Sequence, residues 1–223
     1  MDYTTITIAG ITLTEPVTSF TDIILAIISF IFAGRIKKRL IANAMNKAWH
    51  LFFIFMGIST SIGAVAHSIR EIATIQTFDA FWMIMNMSSS ISVLFALQAT
   101  IQYSNPAKRL EKILTAVNVG LLLLFFGYTI AINDFENFKI HAAIGLLIIF
   151  ITHIVGHFKK RIGSGWIVNG MLLSFLTVLI HTTKFSLDEW FNYKDISHVI
   201  MMVSLLLIYK GICVMSESMQ PNV

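Results

Sequence analysis

The chain has 223 residues, of which 56% are hydrophobic and only 13% charged, too little charge to cover the surface of a soluble domain of that length. The net charge of +4 is not a nucleic-acid signal, because the basic residues sit in short clusters between apolar runs. A single cysteine, Cys213, leaves no internal disulfide framework to consider.

The N-terminal stretch MDYTTITIAGITLTEP lacks the basic region and apolar core of a cleavable signal, so the first apolar run is expected to be a retained helix. Apolar runs then fall at 19–36, 49–68, 80–102, 112–132, 139–158, 165–183 and 196–215. Each is long enough to cross a hydrocarbon core of about 30 Å at about 1.5 Å per residue. Unpaired backbone is not tolerated in lipid, and barrel strands would be shorter and alternate in polarity, so helix is the expected state. The prediction is all-α: a polytopic membrane protein forming a seven-transmembrane helical bundle, one domain spanning residues 1–223. Pro16, Pro106 and Pro221 all fall outside the runs.

Loop charge predicts the orientation. The first loop carries Arg35, Lys37, Lys38, Arg39 and Lys47. The third carries Lys108, Arg109 and Lys112, and the fifth Lys159, Lys160 and Arg161. The intervening loops hold Glu71 and Asp79, Asp134 and Glu136, then Asp188, Glu189 and Asp195. Basic loops favour the cytoplasm, which places the N-terminus outside and the C-terminus inside. Trp49 and Trp166 then fall at inner helix ends, Trp82 and Trp190 at outer ends. The segment from Phe185 to Asp195 is the longest candidate for an ordered outer loop or a short interfacial helix. Short loops rich in Lys and Ile suit a bacterial inner (cell) membrane.

With directions assigned, polar residues gather at two depths. Near the outer face stand Ser19, Thr21 and Asp22 on the first helix, His67 ending the second, and His141 opening the fifth. His181 ends the sixth, and Asp195 and His198 share a face at the start of the seventh. Ionisable groups in a membrane face the bundle interior or a water-filled cavity, where they pair or bind ions. His67, His181 and His198 could ligate zinc, while Asp22 or Asp195 acts as base or positions water and Thr21 or Ser19 holds an oxyanion. The inner layer holds His50, His153 and His157, the last two at metal-compatible spacing but beside a basic, headgroup-facing cluster. Asn86, Ser88, Ser89 and Ser90 on helix 3, with Gly57, Ser61 and Gly63 on helix 2, suit close helix packing. His50 and His67, like His141 and His157, are separated by roughly 25 Å along their helices, which would place one haem per leaflet.

Three stretches carry a family resemblance: Glu15 to Asp22 (EPVTSFTD), Gly63 to His67 (GAVAH) and Asp195 to His198 (DISH). Together they resemble the seven-helix membrane hydrolase superfamily that contains the alkaline ceramidases and the progestin and adiponectin receptors. The resemblance implies a zinc held from the second and seventh helices, with water attack on a lipid amide or ester. His67 and His198 match two of the ligand positions. The pattern departs at Lys194, where the family carries a histidine, at Gly63, where it usually carries a serine, and on the third helix, which lacks its aspartate. Asp22 or Asp195 would have to substitute, with His181 as the third nitrogen ligand. The alternative function is a membrane transport or binding module for a cation, haem or small ligand, including a di-haem electron-transfer protein. Membrane lipids are the expected partners, with no nucleic acid; protein partners are not specified by any motif.

Overall fold

Local chemistry starts and stops each helix. The computed structural model of the protein describes residues 3–40, 42–132 and 136–219. Within them the chain forms β1 (Thr5–Ile8), β2 (Ile11–Thr14) and seven helices: α1 (Pro16–Arg39), α2 (Ala44–Ser68), α3 (Ile75–Ser104), α4 (Lys108–Ile132), α5 (Glu136–Phe158), α6 (Ser164–Thr183) and α7 (Tyr193–Ser218). Pro16 sits at the start of α1, where its missing N–H costs nothing. The Asn43 side chain accepts from Asn46 N at 2.8 Å to cap α2, and Thr74 caps α3 through Thr77 N. Asn192 and Asp195 cap α7 reciprocally. Left-handed residues Asn105 and Lys184 end α3 and α6.

All seven helices are long and apolar enough to cross a membrane. Their bounds agree with the expected runs to within five residues, the largest offsets being the starts of α2 at Ala44 and α3 at Ile75, each more than a turn before the hydropathy signal. The Thr74 cap, not apolarity, sets the start of α3. Of the charges used for orientation, Asp134 lies outside the described residues, as do the side chains of Arg39 and Glu136 and the C-terminal Pro221.

The helices alternate in direction, as contacts between their ends show. Asn46 at the start of α2 donates to Ser216 at the end of α7. Tyr103 at the end of α3 bonds Ser164 at the start of α6. Gln102 at the end of α3 donates to Glu111 at the start of α4. Helix α2 packs on α1 and α3, α6 packs on α7, and α3 reaches across to α5. The basic half of the bundle is dry and aromatic. Trp49, Phe53, Ile208 and Ile212 are fully buried there, and the Phe32 and Tyr209 rings stack at 4.3 Å. Trp49 thus faces the core, 1% exposed, instead of the headgroup layer, because its edge packs on Phe52.

One feature departs from the sequence expectation of helices alone, and one of its two alternatives for the segment before α7 is realised. A β-hairpin precedes α1, pairing Thr5 with Thr14 through Ile8 with Ile11 around a two-residue Ala9–Gly10 turn. Both turn residues have positive φ, 52° and 80°, the geometry that lets a tight hairpin follow strand twist. The segment before α7 is an ordered loop, with Asp188 Oδ1 accepting from Trp190 N and Phe191 N at 2.7 Å each.

Candidate functional site

The hairpin returns the chain to the top of α1 and delivers Glu15 into the bundle. Glu15 N donates to Thr4 O at 2.8 Å, and Glu15 itself takes a left-handed φ of 46°. A non-glycine residue accepts that conformation only under constraint from its surroundings. The constraint is visible: the Glu15 side chain is 4% exposed and is held by partners from two distant helices. Its Oε2 accepts from His67 Nδ1 at 2.7 Å, and its Oε1 pairs with the Lys194 ammonium. A carboxylate only accepts, so the proton of this pair lies on His67 Nδ1 and the ring offers Nε2 as its second functional edge. Burial alone would raise the Glu15 pKa, but hydrogen bonds and charge from His67 and Lys194 outweigh it and hold the group at about 2.

Nearly two turns deeper, α1 contributes Thr21 and Asp22. The Thr21 hydroxyl stands 2.8 Å from His198 Nδ1 and 2.9 Å from Thr18 O. Asp22 Oδ1 lies 3.5 Å from His198 Nε2, an ion-pair distance and not a hydrogen bond. A Cβ added at Gly63 would fall 2.8 Å from Asp22 Oδ2. The aspartate carboxylate thus occupies the space that a side chain at position 63 of α2 would need.

Asp195 is fully buried, but Oδ2 accepts from Asn192 N at 2.8 Å in the α7 cap. Its Oδ1 has no hydrogen-bond partner among the described residues. Ser19 accepts from Ser68 at 2.9 Å and fastens α1 to α2. His181 is exposed, its ring edge-on to Tyr193 at 5.2 Å. Among the described residues no three His, Cys, Asp or Glu side chains are grouped so as to hold a metal. The structure therefore brings Asp22, Thr21 and His198 into one cluster, with His67 held beside it by Glu15. Asp195 is buried at the α7 cap, and exposed His181 packs on Tyr193.

The other histidines lie on α2 and α5. Helix α3 packs on both α2 and α5, and His50 Nδ1 is engaged with Ala33 O at 3.0 Å. His141 is 2% exposed and faces the Phe125 ring. His153 is fully buried and stacked on Tyr103 at 4.3 Å.

Glu15 and Lys194 are the site residues that the sequence did not assign a role. The available signal was a carboxylate placed just before the Pro16 helix start, and a lysine one turn before His198. Above the pair, a polar cavity of about 480 Å³ opens among Tyr3, Glu15, Arg70, Trp82, Tyr193 and Lys194. Arg70 lies over the Tyr3 ring at 4.2 Å, tying the hairpin's approach to the end of α2. On the lipid side, an apolar groove of about 490 Å³ runs along the α1–α2 seam, lined by Ile23, Ile27, Phe30, Ala64, Val65 and Ser68. A polar chamber and a lipid-facing groove thus flank one buried acid–base cluster.

No curated protein and no solved structure matches the chain. A family model does match, over residues 17–217, so it covers every residue of the cluster except Glu15. The chain belongs to that family, a family of unknown function designated DUF6962.

Proposed function

We propose that the cluster is the active site of an integral membrane hydrolase that cleaves a lipid amide or ester. The observation that carries this reading is the buried Glu15–His67 pair, 2.7 Å apart, with Glu15 lining a polar cavity. Buried ionised groups in a membrane protein are costly and persist where they serve function. A carboxylate that fixes one imidazole nitrogen orients the other for general-base work.

Water drawn from the polar cavity would give a proton to His67 Nε2 as its oxygen attacks the substrate carbonyl. The tetrahedral oxyanion then collapses, the C–O or C–N bond to the leaving group breaks, and His67 returns the proton to the departing oxygen or nitrogen. Free acid and alcohol, or free acid and amine, are the products. The substrate's acyl chain would lie along the α1–α2 groove, whose apolar walls suit hydrocarbon. Thr21, Asp22 and His198 form a second acid–base group within the same layer.

Resemblance to the ceramidase and progestin and adiponectin receptor superfamily implies zinc in such a site. For zinc, His67 and His198 would be ligands through Nε2, their Nδ1 atoms being engaged by Glu15 and Thr21, with His181 as the third. The position one turn before His198 holds Lys194, whose ammonium pairs with Glu15. The hydrolytic steps use only the chain's own groups. The alternative is a transport or binding module for a cation, haem or small ligand; beneath the polar layer the Phe32, Phe53 and Tyr209 rings pack on one another.

The test is fatty-acid release from ceramide and phospholipid in detergent and in nanodiscs. His67→Gln is expected to lower kcat by roughly 10²- to 10⁴-fold, while His181→Ala leaves it unchanged. Full activity in His67→Gln overturns the assignment. Stoichiometric zinc in the purified protein, lost in His67→Gln, would replace the acid–base reading by a metal-dependent one.

A further inference from the structure

A second candidate site lies at the opposite end of the bundle, where α5 turns into α6. Helix α5 closes with Arg161 N donating to Gly156 O and Lys160 N donating to His157 O, both at 2.9 Å. This is the paired bonding of a Schellman motif, whose left-handed position is usually glycine. Here it is Lys160, with φ 55°. A side chain in that conformation is strained where glycine would be relaxed, and the backbone sets the direction in which the lysine leaves the turn.

A cavity of about 440 Å³ opens beside this turn, lined by His157, Lys160, Arg161, Gly165, Trp166 and Asn169. It depends on the missing side chain at Gly165, since a Cβ there would come 3.0 Å from His157 Nδ1. Arg161 is oriented by Nη1 donating to Tyr103 O at 3.2 Å and by the Tyr103 ring 5.1 Å beneath the guanidinium. The other guanidinium N–H groups remain for a ligand. Among the described residues, no carboxylate lies within ion-pairing distance of His157, Lys160 or Arg161. The borders are amphiphilic. Phe158 is 77% exposed and Ile162 57% exposed, while Lys210 lies 3.7 Å over the face of Trp166.

We propose that this cavity binds the phosphate group of an anionic phospholipid, held by Lys160, Arg161 and Asn169, with the acyl chains passing Phe158 and Ile162. Free phosphate offers the same anion, but it would have no use for the exposed apolar border. Basic clefts between membrane helices at the headgroup level favour such lipids over zwitterionic ones. The proposal does not depend on the hydrolase reading, because none of these residues belongs to the Glu15–His67 cluster.

The experiment is native mass spectrometry of delipidated full-length protein, titrated with phosphatidylglycerol or with phosphatidylcholine. Phosphatidylglycerol is expected to bind one per chain about tenfold more tightly, as two or more basic side chains near the surface would give. Lys160→Gln with Arg161→Gln should abolish that preference. Gly165→Leu, which fills the cavity without altering charge, should abolish it too. The control Lys37→Gln with Lys38→Gln removes equal charge from another loop of the same face and should leave it intact. Equal retention of both lipids overturns the proposal. So does equal loss in the control, which would mean diffuse attraction, and so does saturable binding of inorganic phosphate alone that displaces the lipid.

Discussion

Glu15 concentrates the energetics of the outer cluster in one side chain. It is buried, carries a charge, and neutralises Lys194 while orienting His67. Removing its charge leaves the half-buried Lys194 ammonium with only the Tyr3 and Tyr193 rings and cavity water, so Glu15→Gln is expected to cost about 1–3 kcal/mol. Adding Lys194→Met should restore part of that loss, because an apolar side chain needs no counter-charge; detergent-resistant thermal midpoints measure both. The pH dependence follows from the lowered pKa, which moves from 4.5 to about 2 on folding. The pair's contribution is complete above 4.5 and disappears as pH falls through about 2. Wild-type stability should therefore decline across that acid window, and the decline should be shallower in Glu15→Gln. An equal decline in both proteins would show that other carboxylates dominate acid unfolding. Lys194 illustrates what sequence could and could not reveal. Its offset from His198 was readable, but its pairing with Glu15 required a contact across 179 positions.

At the scale of elements, hydropathy made the helices legible because a bilayer imposes length and composition on each span. The seams between helices were not legible, since they depend on which small residue meets which backbone. The α6–α7 seam is the clearest case. Gly163 has φ 84°, and a Cβ there would fall 2.5 Å from Gly211 O; a Cβ at Gly170 would fall 2.7 Å from Ile208. Gly163→Ala is therefore expected to destabilise by about 1–3 kcal/mol through left-handed strain and overpacking together. Gly120, with nothing within 4 Å of its Cβ position, is the matched control, and Gly120→Ala should leave the thermal midpoint unchanged or raised. A similar fall in both variants would discount the seam. The hairpin escaped notice for a different reason. Its strands are only four residues each, so the alternation in TITI and ITLT was too brief to stand out beside spans five times longer.

For the whole molecule, the central fact is polarity between its two ends. The end with Glu15, His67 and Lys194 holds a buried ionic cluster under a polar cavity, while the other end packs aromatic rings and displays the basic loops. The alternating helix directions put Lys37, Lys38, Lys108, Arg109, Lys160 and Arg161 on one face, and Glu71, Asp79, Asp188 and Glu189 on the other. Basic loops resist translocation and are attracted to an anionic inner leaflet, each Lys or Arg by about 1 kcal/mol. With so many basic groups on one face, that bias should orient the chain uniquely, with the cluster open to the outside. Two exposed positions report it in a Cys213→Ser background. Gln76→Cys lies at the acidic end in the first turn of α3, and Ala107→Cys lies in the basic loop before α4. A membrane-impermeant maleimide should label Gln76→Cys in intact cells and Ala107→Cys only after lysis. The reverse pattern would invert the molecule and move the hydrolytic site to the cytoplasmic leaflet. It would leave the geometry of the cluster untouched but change which pool of lipid could reach the groove between α1 and α2.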